Sequence, residues 1–260
     1  MNIVQRIYDD FFRPSKEKEY EEILKLAKAK GYIFHTMLSF EQVIQNGLDS
    51  DKKYIILRRD IDTADFKILR KFLEIEKKYG VRSTSYFRWN TINIELMKEI
   101  EKAGGESSYH YEEIATFCYR HRIRKKSIAI EHLEEIRDLF IANITEFRKK
   151  TGMKCLTVAS HGDYINTKFQ FQNKELINDR VRRATGIIRE AYDEEHFNPL
   201  TCRIADQKER EHFTAKALKA IEDGEQVIEL LTHPRQWNSP ILVNLKEELS
   251  RILRWLYMGL

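Results

Sequence analysis

The chain has 260 residues, 42% apolar and 33% charged, with 14 Phe, 12 Tyr and 3 Trp, enough apolar surface to bury a core and to exclude a disordered or fibrous polymer. Forty-five Lys and Arg against 41 Asp and Glu leave a net charge of +4 spread along the sequence, so the balance demands no polyanionic partner. No apolar run nears the roughly 18 residues of a membrane-spanning helix, and three scattered cysteines without a C-x-x-C pair (Cys118, Cys155, Cys202) argue against a disulfide framework and for a reducing compartment.

The first residues, MNIVQRIYDDFFRPS, break with charges the apolar stretch that a secretory leader needs, so a cytoplasmic location is expected. Helical spacing then covers 15–30, stopped by Gly31, and a short helix is expected over 40–45 before Asn46-Gly47. YIILRRD (54–60) reads as a buried strand and feeds a helix over 65–80. A strand at 83–88, a helix at 93–104, a strand at 105–111 and a long helix over 127–150 follow. Next come strands at 155–160, 186–192, 200–205 and 226–233, with a short helix near 173–178 and a longer one over 208–224. A closing helix begins at Asn244, and its end, ILRWLYMGL, is apolar enough to pack on the body of the protein or on a partner subunit. Seven short strands separated by helical patterns predict a parallel α/β architecture in one domain, with residues 1–50 as a helical extension and 50–240 as the core.

In such folds chemistry gathers where strands end. The first strand ends in Arg58-Arg59-Asp60-Ile61-Asp62, and the alternation of side chains points Arg58, Asp60 and Asp62 the same way. Two carboxylates on one face need a cation between them or a shared proton. The plainer account has Asp62 or Thr63 cap the next helix and Asp60 pair with an arginine. Three of eight histidines directly follow or close apolar strands: His110, His161 before a Gly, and His233 before a Pro. Each alone suits a hydrogen-bonded core histidine; together with Asp-x-Asp they form the donor set of a catalytic Zn²⁺ or similar divalent ion.

The segments RRDID, GGESSYHYEE, SHGDY and LLTHPRQW, in that order between residues 50 and 240, resemble the polysaccharide deacetylase (NodB-homology, carbohydrate esterase 4) superfamily, and within it bacterial members from surface-polysaccharide clusters. The resemblance implies a distorted (β/α)7 barrel and a metal-dependent hydrolase that removes an N-acetyl group from a sugar or sugar conjugate. It implies Asp60 as general base, His233 as general acid oriented by Asp206, and Asp62 and His110 as ligands of a divalent metal, Zn²⁺ first. The chain departs from the family where G-H-E becomes Gly104-Gly105-Glu106, where Ser107-Ser108 replace Ile-Gly, and where Ile114 stands four residues beyond His110 in place of a second metal histidine. His161 is the candidate third ligand, with Glu106 or Glu113 in reserve.

A rival from another class is a non-catalytic carbohydrate-binding protein on the same barrel, with Tyr86, Phe87, Trp89, Tyr109, Tyr111 and Trp237 stacking on sugar. Two basic runs, 120–126 and 180–183, raise nucleic-acid binding, but a net charge of +4 without a nucleic-acid module favours solvated surface. Between these lies a phosphate site, in which the first run holds the diphosphate of a nucleotide- or lipid-linked sugar.

Overall fold

Strand β2, Tyr54–Ile61, is buried along its whole length and organises the molecule. The computed structural model describes residues 15–209, 212–237 and 241–258; residues 1–14, behind the expectation of no secretory leader, lie outside them. The other strands are β1 (Ile33–His35), β3 (Thr84–Phe87), β4 (Glu106–Tyr111), β5 (Thr157–Ser160), β6 (Arg189–Glu190), β7 (Cys202–Ala205) and β8 (Val227–Thr232). All pairings are parallel, in the order β6-β5-β4-β3-β2-β8-β7. β1 pairs with the first half of β2 (Ile33 opposite Tyr54) and β3 with its second half (Arg58 opposite Thr84), so two strands share one side of β2 in tandem.

The sheet curls. β2 and β6 stand four places apart, about 19 Å in a flat sheet, yet Arg58 Nη2 on β2 donates to Tyr192 Oη, just beyond β6, at 3.1 Å. On the opposite edge, the Arg203 guanidinium of β7 lies 5.4 Å from the Tyr192 ring and 5.4 Å from the Phe197 ring. Among the described residues no main-chain ladder joins β6 to β7, so the seven-strand path closes through side chains. This is the distorted (β/α)7 barrel, with β1 as an additional strand.

Alternation along β2 sorts the layers. Ile55 and Leu57 face outward with Ile228 and Leu230, against Tyr20, Ile23 and Leu24 of the helix Glu17–Ala29, Phe72 of Lys67–Tyr79 and Ile221 of Phe213–Asp223. Tyr54 and Ile56 face inward with Tyr86, Ala159 and Val227 around Met37 and Phe40. Those two belong to the helix Met37–Asn46, which closes the end of the barrel where the strands begin: Met37 N donates to Thr84 Oγ1 at 2.8 Å and Leu38 N to Glu106 Oε2 at 3.0 Å. On the remaining flank, Ile136, Phe140, Ile144 and Phe147 of Leu133–Thr151 form one helical face in a cluster with Tyr109, Tyr111 and Val158.

Several elements differ from the sequence-based expectation. The segment before residue 50 contributes β1 as well as helix. The helix expected over 127–150 is two, Lys126–Glu131 and Leu133–Thr151, broken at His132. Glu113–His121, Tyr164–Phe169, Asp179–Thr185 and Glu194–Phe197 are helices where none was anticipated. The first of these buries Ile114, Ala115, Phe117 and Cys118, so Ile114, which stands where a metal histidine was sought, serves the core. No disulfide joins Cys118, Cys155 and Cys202, and no helix among the described residues is long and apolar enough to cross a membrane.

Candidate active site

Five strands deliver their ends to one hollow. Asp60 lies near the end of β2 and Asp62 just past it, His110 near the end of β4, and His161, Asp206 and His233 follow β5, β7 and β8. His161 Nδ1 lies 3.1 Å from Asp62 Oδ1 and 3.2 Å from His110 Nε2, and His110 Nε2 lies 3.5 Å from Asp62 Oδ1. Donor atoms of these three residues all fall within 4.8 Å of one another, the geometry of a cation site.

Two observations test that fit. Asp62 Oδ1 is buried and has no hydrogen-bond partner, which is costly unless something else satisfies it. His110 Nδ1 lies 2.9 Å from Ala159 O; a carbonyl can only accept, so Nδ1 donates there and Nε2 is the atom turned toward Asp62 and His161. The donor set of one carboxylate and two imidazoles suits Zn²⁺ or a neighbouring divalent ion. Burial opposes ionisation of Asp62, yet the adjacent His161 outweighs it and holds the carboxyl well below its ordinary value.

Beside this trio sits the Arg58–Asp60 pair. Arg58 donates through Nε to Asp60 Oδ1 at 3.0 Å and through Nη2 to Oδ2 at 2.9 Å, a bidentate contact in a fully buried setting. Burial alone would raise Asp60; the Arg58 guanidinium, with His110 and His233 behind it, overrides this and holds the carboxyl below its usual range. Asp60 Oδ2 is 3.7 Å from His110 Nε2 and 3.8 Å from His233 Nε2, facing both without bonding either.

His233 is fixed from behind. Asp206 Oδ1 lies 2.6 Å from His233 Nδ1, while its Oδ2 accepts from His233 N at 2.6 Å and from Trp237 Nε1 at 2.9 Å. Burial disfavours the imidazolium, but Asp206 prevails and raises His233 to about 9. At neutral pH its Nε2 therefore carries a proton that faces Asp60.

The reserve ligands lie elsewhere. Glu106 sits at the opposite end of the barrel, accepting from Leu38 N, Thr84 Oγ1 and Thr157 Oγ1. Glu113 accepts from Tyr109 Oη at 2.6 Å and Asn143 Nδ2 at 2.9 Å, beside the helix Leu133–Thr151. Gly105, where the family pattern has histidine, admits no side chain, because an added Cβ would lie 2.8 Å from Ile100 Cγ2 and 3.0 Å from Ser83 O.

The six aromatics of the rival reading do not form an exposed stacking surface. Tyr86, Phe87, Tyr109, Tyr111 and Trp237 are buried, and half-buried Trp89 packs edge-on to Tyr109 and Phe147. Trp237 meets Phe72 and Phe213 edge-on while its N–H holds Asp206. The second basic run belongs to the helix Asp179–Thr185, where Arg180 pairs with Asp138 at 2.7 Å and Arg182 with Asp193 at 2.7 Å.

Residues that strand-end reasoning passed over support the site. Tyr192 Oη takes the Arg58 Nη2 hydrogen bond. Glu190 accepts from Ser160 N at 2.9 Å and from Tyr111 Oη at 3.1 Å, tying down the strand end before His161, and burial raises it to about 7. The one signal for both in the sequence is the strand-like GIIREAY.

No protein-family model and no curated protein matches this sequence. Among solved structures the chain is similar to the Streptococcus pyogenes deacetylase PplD in complex with acetate, at 13% identity and a TM-score of 0.44 over 92% of this chain and 93% of that one. It is also similar to the Xyl-CE4 domain of a multidomain xylanase from the hindgut metagenome of Trinervitermes trinervoides, at 14% identity and a TM-score of 0.41 over 80% of this chain and 92% of that one.

Proposed function

We propose that this chain is a metal-dependent hydrolase that removes an N-acetyl group from a sugar or sugar conjugate, in surface polysaccharide biosynthesis. The observation that carries the reading is the meeting of the Asp62–His110–His161 trio with Asp60, paired to Arg58, and with His233, backed by Asp206, at one end of the barrel. Asp62, His110 and His161 hold the cation, with Zn²⁺ the favoured occupant. When bound, such an ion polarises an amide carbonyl and acidifies water.

The protein's own groups then divide the proton work. Asp60, kept ionised by Arg58, takes a proton from the attacking water as its oxygen bonds to the acetyl carbon. The C–N bond breaks as His233 gives its Nε2 proton to the departing amine, which leaves poorly as an anion. Asp206 holds the imidazole through Nδ1 and stabilises its charged form before that transfer. The products are acetate and a free amino sugar. The substrate we favour is a nucleotide- or lipid-linked sugar handled in the cytoplasm, with no role for nucleic acid.

The test is acetate release from N-acetylated sugars and UDP-N-acetylglucosamine by the Zn²⁺-loaded protein. Asp60→Asn and His233→Ala are expected to abolish it; unchanged rates in both would remove the assignment.

A further inference from the structure

The helix Ile241–Met258 starts shortly after Trp237, next to the His233 end of β8. At its far end Arg122 Nε donates to Tyr257 Oη at 2.9 Å, with the guanidinium 4.6 Å from the ring. Arg122 follows the helix Glu113–His121, whose Tyr119 donates to Asp163, two residues past His161, at 2.6 Å. The C-terminal helix, about 27 Å long, thus links two points on the end of the barrel that carries the candidate site.

Among its described side chains, several apolar ones face out. Leu242 is 82% exposed, Leu249 60% and Leu253 64%, with Leu245 and Tyr257 also exposed. Their spacing of three or four residues puts them on one face of the helix, while Asn244 is buried. A contiguous apolar surface of this kind marks an interaction face.

The flank of this face says what covers it. The 120–126 run holds Arg120, Arg122, Arg124, Lys125 and Lys126, all exposed and with no carboxylate among them. Lys126 Nζ donates to Gln170 O at 3.0 Å, which brings the run against the helix Tyr164–Phe169 and its exposed Tyr164. Ile128 and Ile130, also exposed, follow directly. In a symmetric dimer through this face, five cations would meet or lie beside five identical ones. An anionic lipid surface instead neutralises the cations, takes up the leucines below the headgroups and seats the tyrosines at the boundary.

We propose that this face docks on an anionic phospholipid membrane, with the leucine stripe of the C-terminal helix in the headgroup layer and the 120–126 run against lipid phosphates. The docking surface stands apart from the hydrolase reading. Joined to it, docking brings the candidate site close to a sugar carried on a lipid.

Flotation of the full chain with phosphatidylcholine vesicles, with and without phosphatidylglycerol, tests this. Binding is expected only with the anionic lipid, and high salt should release it. Replacing Arg120, Arg124 and Lys125 with Gln should weaken partitioning by about 100-fold, at about fivefold per cation. L249D together with L253D should abolish it while leaving the thermal midpoint unchanged, since both side chains already face solvent. Failure to float with anionic vesicles, or equal binding to neutral ones, overturns the proposal. So does a stable dimer that L249D and L253D dissociate, which would give the stripe to a second copy. Acetate release from a soluble substrate by the double variant keeps this result separate from the fate of the hydrolase reading.

Discussion

Arg58 and Arg59 are adjacent on β2 and both fully buried, yet they serve opposite faces and opposite ends. On the outer face, Arg59 meets Glu76, whose carboxylate also accepts from Tyr20 Oη at 2.5 Å and Ser83 Oγ at 2.8 Å. Three donors quench that charge, and the cluster pins the helices Glu17–Ala29 and Lys67–Tyr79 to the sheet. On the inner face, Asp60 takes its hydrogen bonds, among the described residues, from Arg58 alone and looks across at two imidazoles, while Asp62 Oδ1, 3.1 Å from His161 Nδ1, has no hydrogen-bond partner. The lesson is that a buried ion pair becomes chemistry when its charge is held but left unfilled.

The sharpest way to break this comparison is to neutralise each carboxylate. Glu76→Gln leaves Arg59 buried without its counter-ion and should cost about 3–5 kcal/mol of stability, while the folded fraction keeps its turnover. Asp60→Asn should lower acetate release by roughly 10²–10⁴-fold with little loss of stability. Paired thermal melts and rate assays distinguish the two; the reverse pattern would erase the distinction.

Next in size is the pH response of His233 in the metal-free protein. Its folded value, about 9, lies above the unfolded value, so the stabilisation is complete below about 6.5 and fades as pH rises through about 9. The linked free energy is about 3 kcal/mol. Asp206→Asn should bring the ring's NMR titration down and flatten melting against pH over that window.

Zn²⁺ should raise the wild-type thermal midpoint, with a stabilisation of about 2.7 kcal/mol at a hundredfold excess over Kd, and a chelator should reverse it. His161→Ala, lacking one of three donors, should respond to neither.

The smallest effect sharpens the inner pair itself. Arg58→Met leaves Asp60 to burial, which raises its pKa, so the acid limb of the rate profile should move to higher pH. A limb that stays in place would mean that another group holds Asp60 ionised.

Much of this was legible in the sequence because β2 writes its layers in alternate letters: Ile55, Leu57 and Arg59 out, Ile56, Arg58 and Asp60 in. Histidine at the end of an apolar run gave His110, His161 and His233, since a parallel sheet brings all such ends together. Chain order alone could not separate Glu106 from the hollow, because it begins β4 while His110 lies near its end. The aromatics misled in the same way; a tyrosine beside a candidate ligand on a strand points to the other face, as Tyr109 and Tyr111 do. β1, three residues long, is too short to carry a period. Glu113–His121 hid behind the basic run into which it leads, although Ile114, Phe117 and Cys118 hold helical spacing.

The barrel's unladdered edge has a mechanical consequence. Between β6 and β7 the wall is laced by Arg203 lying over Tyr192 and Phe197, and by His196 against Glu229. Glu229 itself takes Arg203 Nε at 2.8 Å; burial resists its ionisation, but His196, Arg58 and Arg203 bring it down to about 2. The lacing therefore stays tied through mild acid. It can still slacken by the swing of a few side chains, without tearing a single main-chain hydrogen bond, so the lumen has a flank that gives way before its ribs do.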